Sequence, residues 1–283
     1  MTSFAVFSGR RAAFLGVILL VACGDARSED PRVRLRLRYE VGDTLGYEYA
    51  ATGTVTRPDS SAVDGTTSES YERNMRIDEV ATEVTPRGNY MLAWTYYVPP
   101  DTMHGGREVP TQFTIGVEIT PQGRVVDVRN VETAKPFFGD LDFRTYLEQT
   151  QPVFPDRPLK VGDSWTQEVK VLSPEAEPVV TSSTYVLESL SQEEGEPTAV
   201  IAFDGDVYLP TTYEPADSAE GLRSVEERIG VRGRMFFAHE RGAVKRVESS
   251  AQASLTKTSF HLGQPDRREL QITQESTLRL VDP

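Results

Sequence analysis

The 283-residue chain has a single cysteine, Cys23, so it can close no internal disulfide and must draw its stability from a packed core. Histidine is nearly as scarce. His104, His239 and His261 are too scattered to form a His-x-x-x-His or Cys-containing zinc motif. Asp140-Leu141-Asp142 and Asp204-Gly205-Asp206 do not open an EF-hand loop and read as acidic turns, so neither metal nor cofactor is expected. A glycine-rich phosphate cradle is also missing, since Gly230-Val231-Arg232-Gly233 lacks both the P-loop lysine and the dinucleotide spacing. Long apolar runs are missing too: Phe14 to Val21 falls far short of the roughly 18 to 20 residues that span a bilayer as a helix. Positive charge is in deficit, with 30 Lys and Arg against 43 Asp and Glu, a formal net charge of -13. Nucleic acid is thereby not expected as a partner, nor is adsorption of the body as a whole to anionic lipid.

What the chain does have begins with its leader. Arg10 and Arg11 precede an apolar core, Phe14-Leu15-Gly16-Val17-Ile18-Leu19-Leu20-Val21, and small Ala22 follows. This is the pattern of a secretory signal peptide cut before Cys23. Leu20-Val21-Ala22-Cys23 resembles the lipobox of bacterial lipoproteins. The resemblance implies that Cys23 becomes the first residue and carries a thioether-linked diacylglyceryl group with an N-acyl chain, a lipid anchor to the membrane. One acyl chain holds marginally and two or more hold stably. In that family, aspartate directly after the cysteine retains a protein in the inner membrane. Gly24 stands there instead, which implies an exported protein at the outer membrane. Cleavage removes two arginines and no acid, making the mature chain two charges more negative.

Residues 1–22 are thus read as signal peptide, 23–32 as lipidated tether, 33–150 as a first β unit and 151–283 as linker and second β unit. Just past the tether, Arg32, Arg34, Arg36 and Arg38 alternate with Val33, Leu35, Leu37 and Tyr39. Period two predicts a half-buried strand with one apolar and one cationic face. At about 3.3 to 3.6 Å per residue, the chain from Cys23 to Val33 reaches at most roughly 30 Å, which keeps these arginines near any headgroups. Pairing with the many acidic side chains is the simpler use of the row.

Two landmarks recur at matched spacing. Val41-Gly42-Asp43-Thr44 and Val161-Gly162-Asp163-Ser164 lie 120 residues apart, and Gly123 and Gly242, each opening a strand-like run, lie 119 apart. Matched spacing predicts an internal duplication. Both halves alternate as β: Phe113, Ile115, Val117 and Ile119 lead through Pro121-Gln122-Gly123 into Val125 to Val131, and Met235, Phe237 and His239 lead through Gly242 into Val244 to Leu255. Further strands are expected over Tyr47 to Val55, Tyr71 to Val84, Tyr90 to Val98, Thr181 to Leu190, Ala199 to Leu209 and Leu270 to Leu280. One helix is expected, capped by Asp142, with Phe143, Tyr146 and Leu147 on one side. Pro152, Pro155 and Pro158 then make a stiff linker. The fold class is mainly β: two similar antiparallel units in tandem, with one short helix near the junction. A lipobox followed by duplicated Val-Gly-Asp β units resembles families of uncharacterised envelope lipoproteins.

Gly162-Asp163-Ser164 resembles the nucleophile block of one esterase and lipase superfamily, and Asp101-Thr102-Met103-His104 supplies an Asp-x-x-His pattern. The order of the blocks is reversed here, alternating βα units are missing, and the other copy reads Gly42-Asp43-Thr44. A shared turn explains both copies, and no catalytic residue is assigned. Trp94 and Trp165 fall in strand runs and are expected in the core. The function expected is a non-catalytic, membrane-anchored envelope lipoprotein that binds another envelope protein or serves a structural role. The alternative is a carrier for lipid or another hydrophobic ligand, with Phe113, Ile115, Phe236 and Phe237 lining its cavity.

Overall fold

The computed structural model describes residues 31–283 except 60–61, 63–64, 99–110, 136–140, 173–177, 214–222, 262–263 and 282–283. At 211–213, 223–225, 257, 259–261 and 264–267 it describes the backbone path alone. Cys23 and the leader lie outside the described residues, as do Asp101, His104 and Asp140.

Alternating apolar and polar side chains give eleven strands: β1 (Thr44–Pro58), β2 (Thr66–Val84), β3 (Tyr90–Tyr97), β4 (Gln112–Ile119), β5 (Val125–Arg129), β6 (Ser164–Val171), β7 (Val179–Glu193), β8 (Glu196–Tyr213), β9 (Arg223–Ala238), β10 (Ala243–His261) and β11 (Gln264–Val281). They form one antiparallel sheet in the order β5-β4-β3-β2-β1-β11-β10-β9-β8-β7-β6. The strands of the two expected units are therefore joined in a single sheet. The join is the pairing of the first strand with the last, in the register Tyr49↔Leu278.

One face of this sheet is apolar and closes on itself. Trp94, Phe113 and Ile115 from β3 and β4 share a buried cluster with Tyr185, Leu187, Ile201 and Phe237 from β7, β8 and β9. Side chains from strands this far apart in the order meet only if the sheet curls. Helix α1 (Phe143–Thr150) lies in the gap between the two edges, against β5 on one side and β6, β7 and β8 on the other. Asp142 caps it as expected, accepting from the Thr145 N–H at 3.2 Å. Gln167 on β6 completes the other end, its Nε2 donating to the carbonyls of Glu148 and Gln151. The Gln149 amide pairs with the backbone N–H and carbonyl of Tyr208, at 2.8 and 3.0 Å. That part of β8 runs beyond its register with β7, so the helix satisfies polar groups the sheet leaves open.

The two Val-Gly-Asp motifs make the same turn. Gly42 and Gly162 have φ of 97° and 89°, a region that favours glycine. Each following aspartate accepts from the backbone N–H three residues back, Glu40 in one case and Lys160 in the other. Each turn also bonds reciprocally to the strand beside it, through Ala81 and Leu187 respectively. Both neighbouring ladders carry a bulge at that point, between Ala81 and Glu83 and between Leu187 and Ser189. The turn reading of Gly162-Asp163-Ser164 matches this geometry, and Ser164 is an exposed residue at the start of β6.

Several boundaries differ from expectation. The Arg32 to Tyr39 alternation does bury one face, with Val33, Leu35 and Leu37 at 7, 0 and 7% exposure. It is not a strand of the sheet, however, and its backbone is held by scattered bonds instead of a ladder: Val33 with Leu159, Leu37 with Pro121 and Arg38 with Gly242. These partners all belong to turns or entries at one end of the strands, so the segment is a floor laid across that end. Strand β5 stops at Arg129 instead of Val131, because Asn130 turns left-handed at φ 60° and starts a 3-10 turn, Val131–Ala134. The stretch Gln151 to Pro158 also crosses this end. It buries Phe154 to 2% exposure, with its ring centroid 4.8 Å from that of Phe237. Trp94 is buried and Trp165 packs half-buried against the same cluster, as expected of core residues.

Candidate functional site

The packed core occupies the floor end of the strands. Beyond it, β1, β2, β8, β9, β10 and β11 continue as long arms, and their inner face turns to small and polar residues. Ala51, Ser276, Ser249 and Gly233 stand side by side in register, and the next row is Gly53, Gln274 and Ala251. The Tyr71 hydroxyl donates to Gln274 Oε1 at 2.8 Å, and Gln274 Nε2 donates to the Tyr49 hydroxyl at 2.9 Å. Ser249 and Ser276 hydroxyls meet at 2.8 Å. Glu227 belongs to this interior: burial pushes its carboxyl up, and the Arg73 guanidinium pulls it back.

The arms bend where these small residues sit. A side chain at Gly53 would run into the Thr273 carbonyl and the Tyr71 ring, and one at Gly233 into the Glu248 carbonyl and the Phe203 ring. Only glycine permits that approach, and an aromatic ring covers each bare position. On the opposite, core-averse face the bend leaves a groove of about 720 Å³. It is walled by Thr52, Thr54, Ser70, Glu72, Arg232, Ser250, Gln252, Thr273 and Glu275. A second hollow of about 360 Å³ shares Thr52, Glu72 and Glu275 with it. Within the groove Arg232 Nε donates to Ser250 Oγ at 3.3 Å. Its lining contains no His, Cys or Lys and is dominated by hydroxyl, amide and carboxylate groups. Such a surface can hydrogen-bond a polar ligand in several orientations; its lining pairs no nucleophile with a histidine base.

At the floor end a second polar group is enclosed. Glu79, 7% exposed, accepts a hydrogen bond from the Tyr39 hydroxyl at 2.5 Å. Burial raises its carboxyl to about 7, against the pull of that hydrogen bond. Trp94 stands opposite Glu79 in register; its indole N–H closes no hydrogen bond, but lies near enough to favour the charged carboxylate. Burial, and then the nearby Glu79, likewise raises the Tyr39 hydroxyl well above its ordinary range. The Tyr90 hydroxyl donates to the Leu37 carbonyl at 3.3 Å, so two side-chain bonds tie the floor to the sheet.

The residues singled out from sequence are dispersed. Ser164, at the floor end of β6, lies outside the groove, and Asp101 and His104 lie outside the described residues. Phe113, Ile115 and Phe237 pack into the filled core. Phe236 points to the other face of β9, under the Arg246 guanidinium at 3.9 Å. The groove residues carry no motif; their signal was the run of Thr, Ser, Glu and Gln in strands too long for the core. Among the described residues no group of three or more His, Cys, Asp or Glu side chains converges as a metal site would require. No curated protein matches the chain. Residues 131–212, which carry α1, β6, β7 and most of β8, match DUF6263, a family of unknown function.

Proposed function

We propose that the chain is an exported lipoprotein, anchored through acyl groups on Cys23 at the outer membrane, and that its β body is a non-catalytic binding module for another component of the envelope. The observation that carries this reading is the placement of Leu20-Val21-Ala22-Cys23 eight residues before the folded unit that starts at Pro31. A lipid there transmits its hold directly into the core through Leu35 and Leu37, both buried. Some eight residues separate the start of β1 from Thr52, so at about 3.3 Å per residue the groove stands some 25 Å along the strands from the floor. A polar partner can meet it there.

The anchor is tested on protein recovered from membranes of the producing bacterium. The amino-terminal peptide should begin at Cys23 and carry the mass of a diacylglyceryl group, and Cys23→Ser should move the protein to the soluble fraction. An unmodified mature chain, soluble and indifferent to the substitution, would end the reading.

The carrier reading draws on a different observation. On the inner face of the arms Val55, Ile272, Ala253, Ile229 and Val207 form one apolar row, outside the main buried cluster and outside a smaller one of Leu45, Tyr47 and Ala243, and Val55, Ile272 and Ile229 are only half-buried. Native mass spectrometry of the unlipidated protein should then show a bound lipid that organic extraction removes. A bare protein mass before extraction argues against it.

A further inference from the structure

We propose that the floor end is a docking surface for an anionic lipid bilayer, which deepens the anchored reading by naming what the body rests on. The turns at 39–43, 85–89, 120–124, 160–163, 194–195 and 239–242 all lie at this end, because the strands alternate in direction, and the floor segment bonds to Pro121 and Gly242 in two of them and to Leu159 beside a third. The floor's apolar side chains face the core, which leaves its arginines facing outward. Arg32, Arg34 and Arg38 are exposed there, and the turns add exposed Arg124, Lys160 and Arg241.

The acids of this end are mostly engaged. Arg36 pairs with Asp156, Arg157 with Asp163 at 2.7 Å, and Lys245 with Glu194 at 3.1 Å. Glu40, Asp43, Glu83 and Glu240 remain against those six cations and Arg87, which is exposed in the turn between β2 and β3. The arms at the other end carry acids and cations together, Glu69, Glu72, Glu227, Glu269 and Glu275 with Arg57, Arg73, Arg228, Arg232 and Arg268, in a chain whose net charge is -13. An anionic surface attracts the exposed floor cations, which lie together at one end of an otherwise acidic chain.

A second, independent feature lies among the cations. Val41 and Val161, at the tips of the two matched turns, are 65 and 48% exposed; Leu172 and Val180, at the far end of β6 and β7, are 75 and 60% exposed but have no comparable row of arginines beside them. Two apolar tips ringed by cations match the layering of a membrane surface, with phosphates outside and acyl chains beneath.

The test removes the covalent anchor. The Cys23→Ser chain without residues 1–22 keeps the entire core and is mixed with vesicles of phosphatidylglycerol and phosphatidylcholine in equal parts, or of phosphatidylcholine alone. It should sediment with the mixed vesicles and not with the neutral ones. Arg34→Gln, Arg124→Gln and Arg241→Gln together should weaken that binding on the order of 100-fold, about fivefold for each charge removed. Val41→Ser with Val161→Ser should weaken it severalfold. Arg57→Gln, at the other end and paired with Glu69, should leave it unchanged. Binding should vanish near 1 M salt, where screening acts within about 3 Å. If the parent ignores the mixed vesicles, or the triple variant binds them as the parent does, the docking surface is wrong. The lipid mass on Cys23 is read separately, so the anchor and the surface fail independently.

Discussion

Glu79→Gln is expected to stabilise the protein at pH 8 by about 3 kcal/mol and to leave it nearly unchanged below pH 4.5. The folded-state carboxyl titrates at about 7, against an ordinary value of 4.5, and each unit of difference is worth about 1.36 kcal/mol. Because the folded value is raised, the folded state holds its proton more tightly than the unfolded chain. The favourable contribution is complete below about 4.5 and is lost as pH rises through about 7. Glutamine keeps an oxygen to accept from Tyr39 and cannot ionise, so the loss should disappear. Melting temperatures between pH 4 and 9 test this: the parent should fall with rising pH while the variant stays level, separating by roughly 5 to 10 °C at pH 8. A parent curve that is flat across the window would show that Glu79 ionises as an exposed carboxylate does.

Phe154→Ala is expected to cost about 3 to 5 kcal/mol, the usual range for emptying a buried phenyl site. Phe154 is 2% exposed and packs on Phe237 and Trp165 from β9 and β6. A proline-rich spacer between independent bodies would show almost no loss. Asp156→Ala, two residues on, provides the contrast: its ion pair with Arg36 is largely solvent-exposed and should be worth under about 1 kcal/mol. Urea unfolding measures both, and one transition in the parent and in Phe154→Ala is the companion expectation of strands joined in a single sheet. Equal, small losses in the two variants would return the segment to the role of a spacer.

The parts legible in the sequence were those set by local chemistry. Asp142 with Phe143, Tyr146 and Leu147 announces a capped helix, and Gly42 and Gly162 announce their turns through a backbone angle other residues avoid. The period-two row at Arg32 to Tyr39 announced which side chains would be buried. It could not announce where, because the floor is held by single bonds to turns up to about two hundred residues away, Arg38 to Gly242 among them. Most of β9 escaped notice: its residues before Met235 alternate Arg and Glu with Val, Ile and Gly, and register with β8 and β10, not hydropathy, makes them a strand. The groove was hidden for a related reason. Threonines and glutamates on a strand look like ordinary solvated residues until Gly53 and Gly233 are seen to bend the sheet beneath them.

The pairing of β1 with β11 governs how the chain comes to be assembled. Tyr49 and Leu278 are neighbours in space and 229 residues apart along the polypeptide. Until the final strand has been synthesised, the opening one has an unsatisfied edge at what will become the middle of the sheet. Contacts of such range form slowly, since a long loop must close before they contribute. A ribosome-bound or partly threaded polypeptide therefore has no native way to cover that edge, and truncation before Gln264, which removes β11, should leave a chain prone to pair with copies of itself.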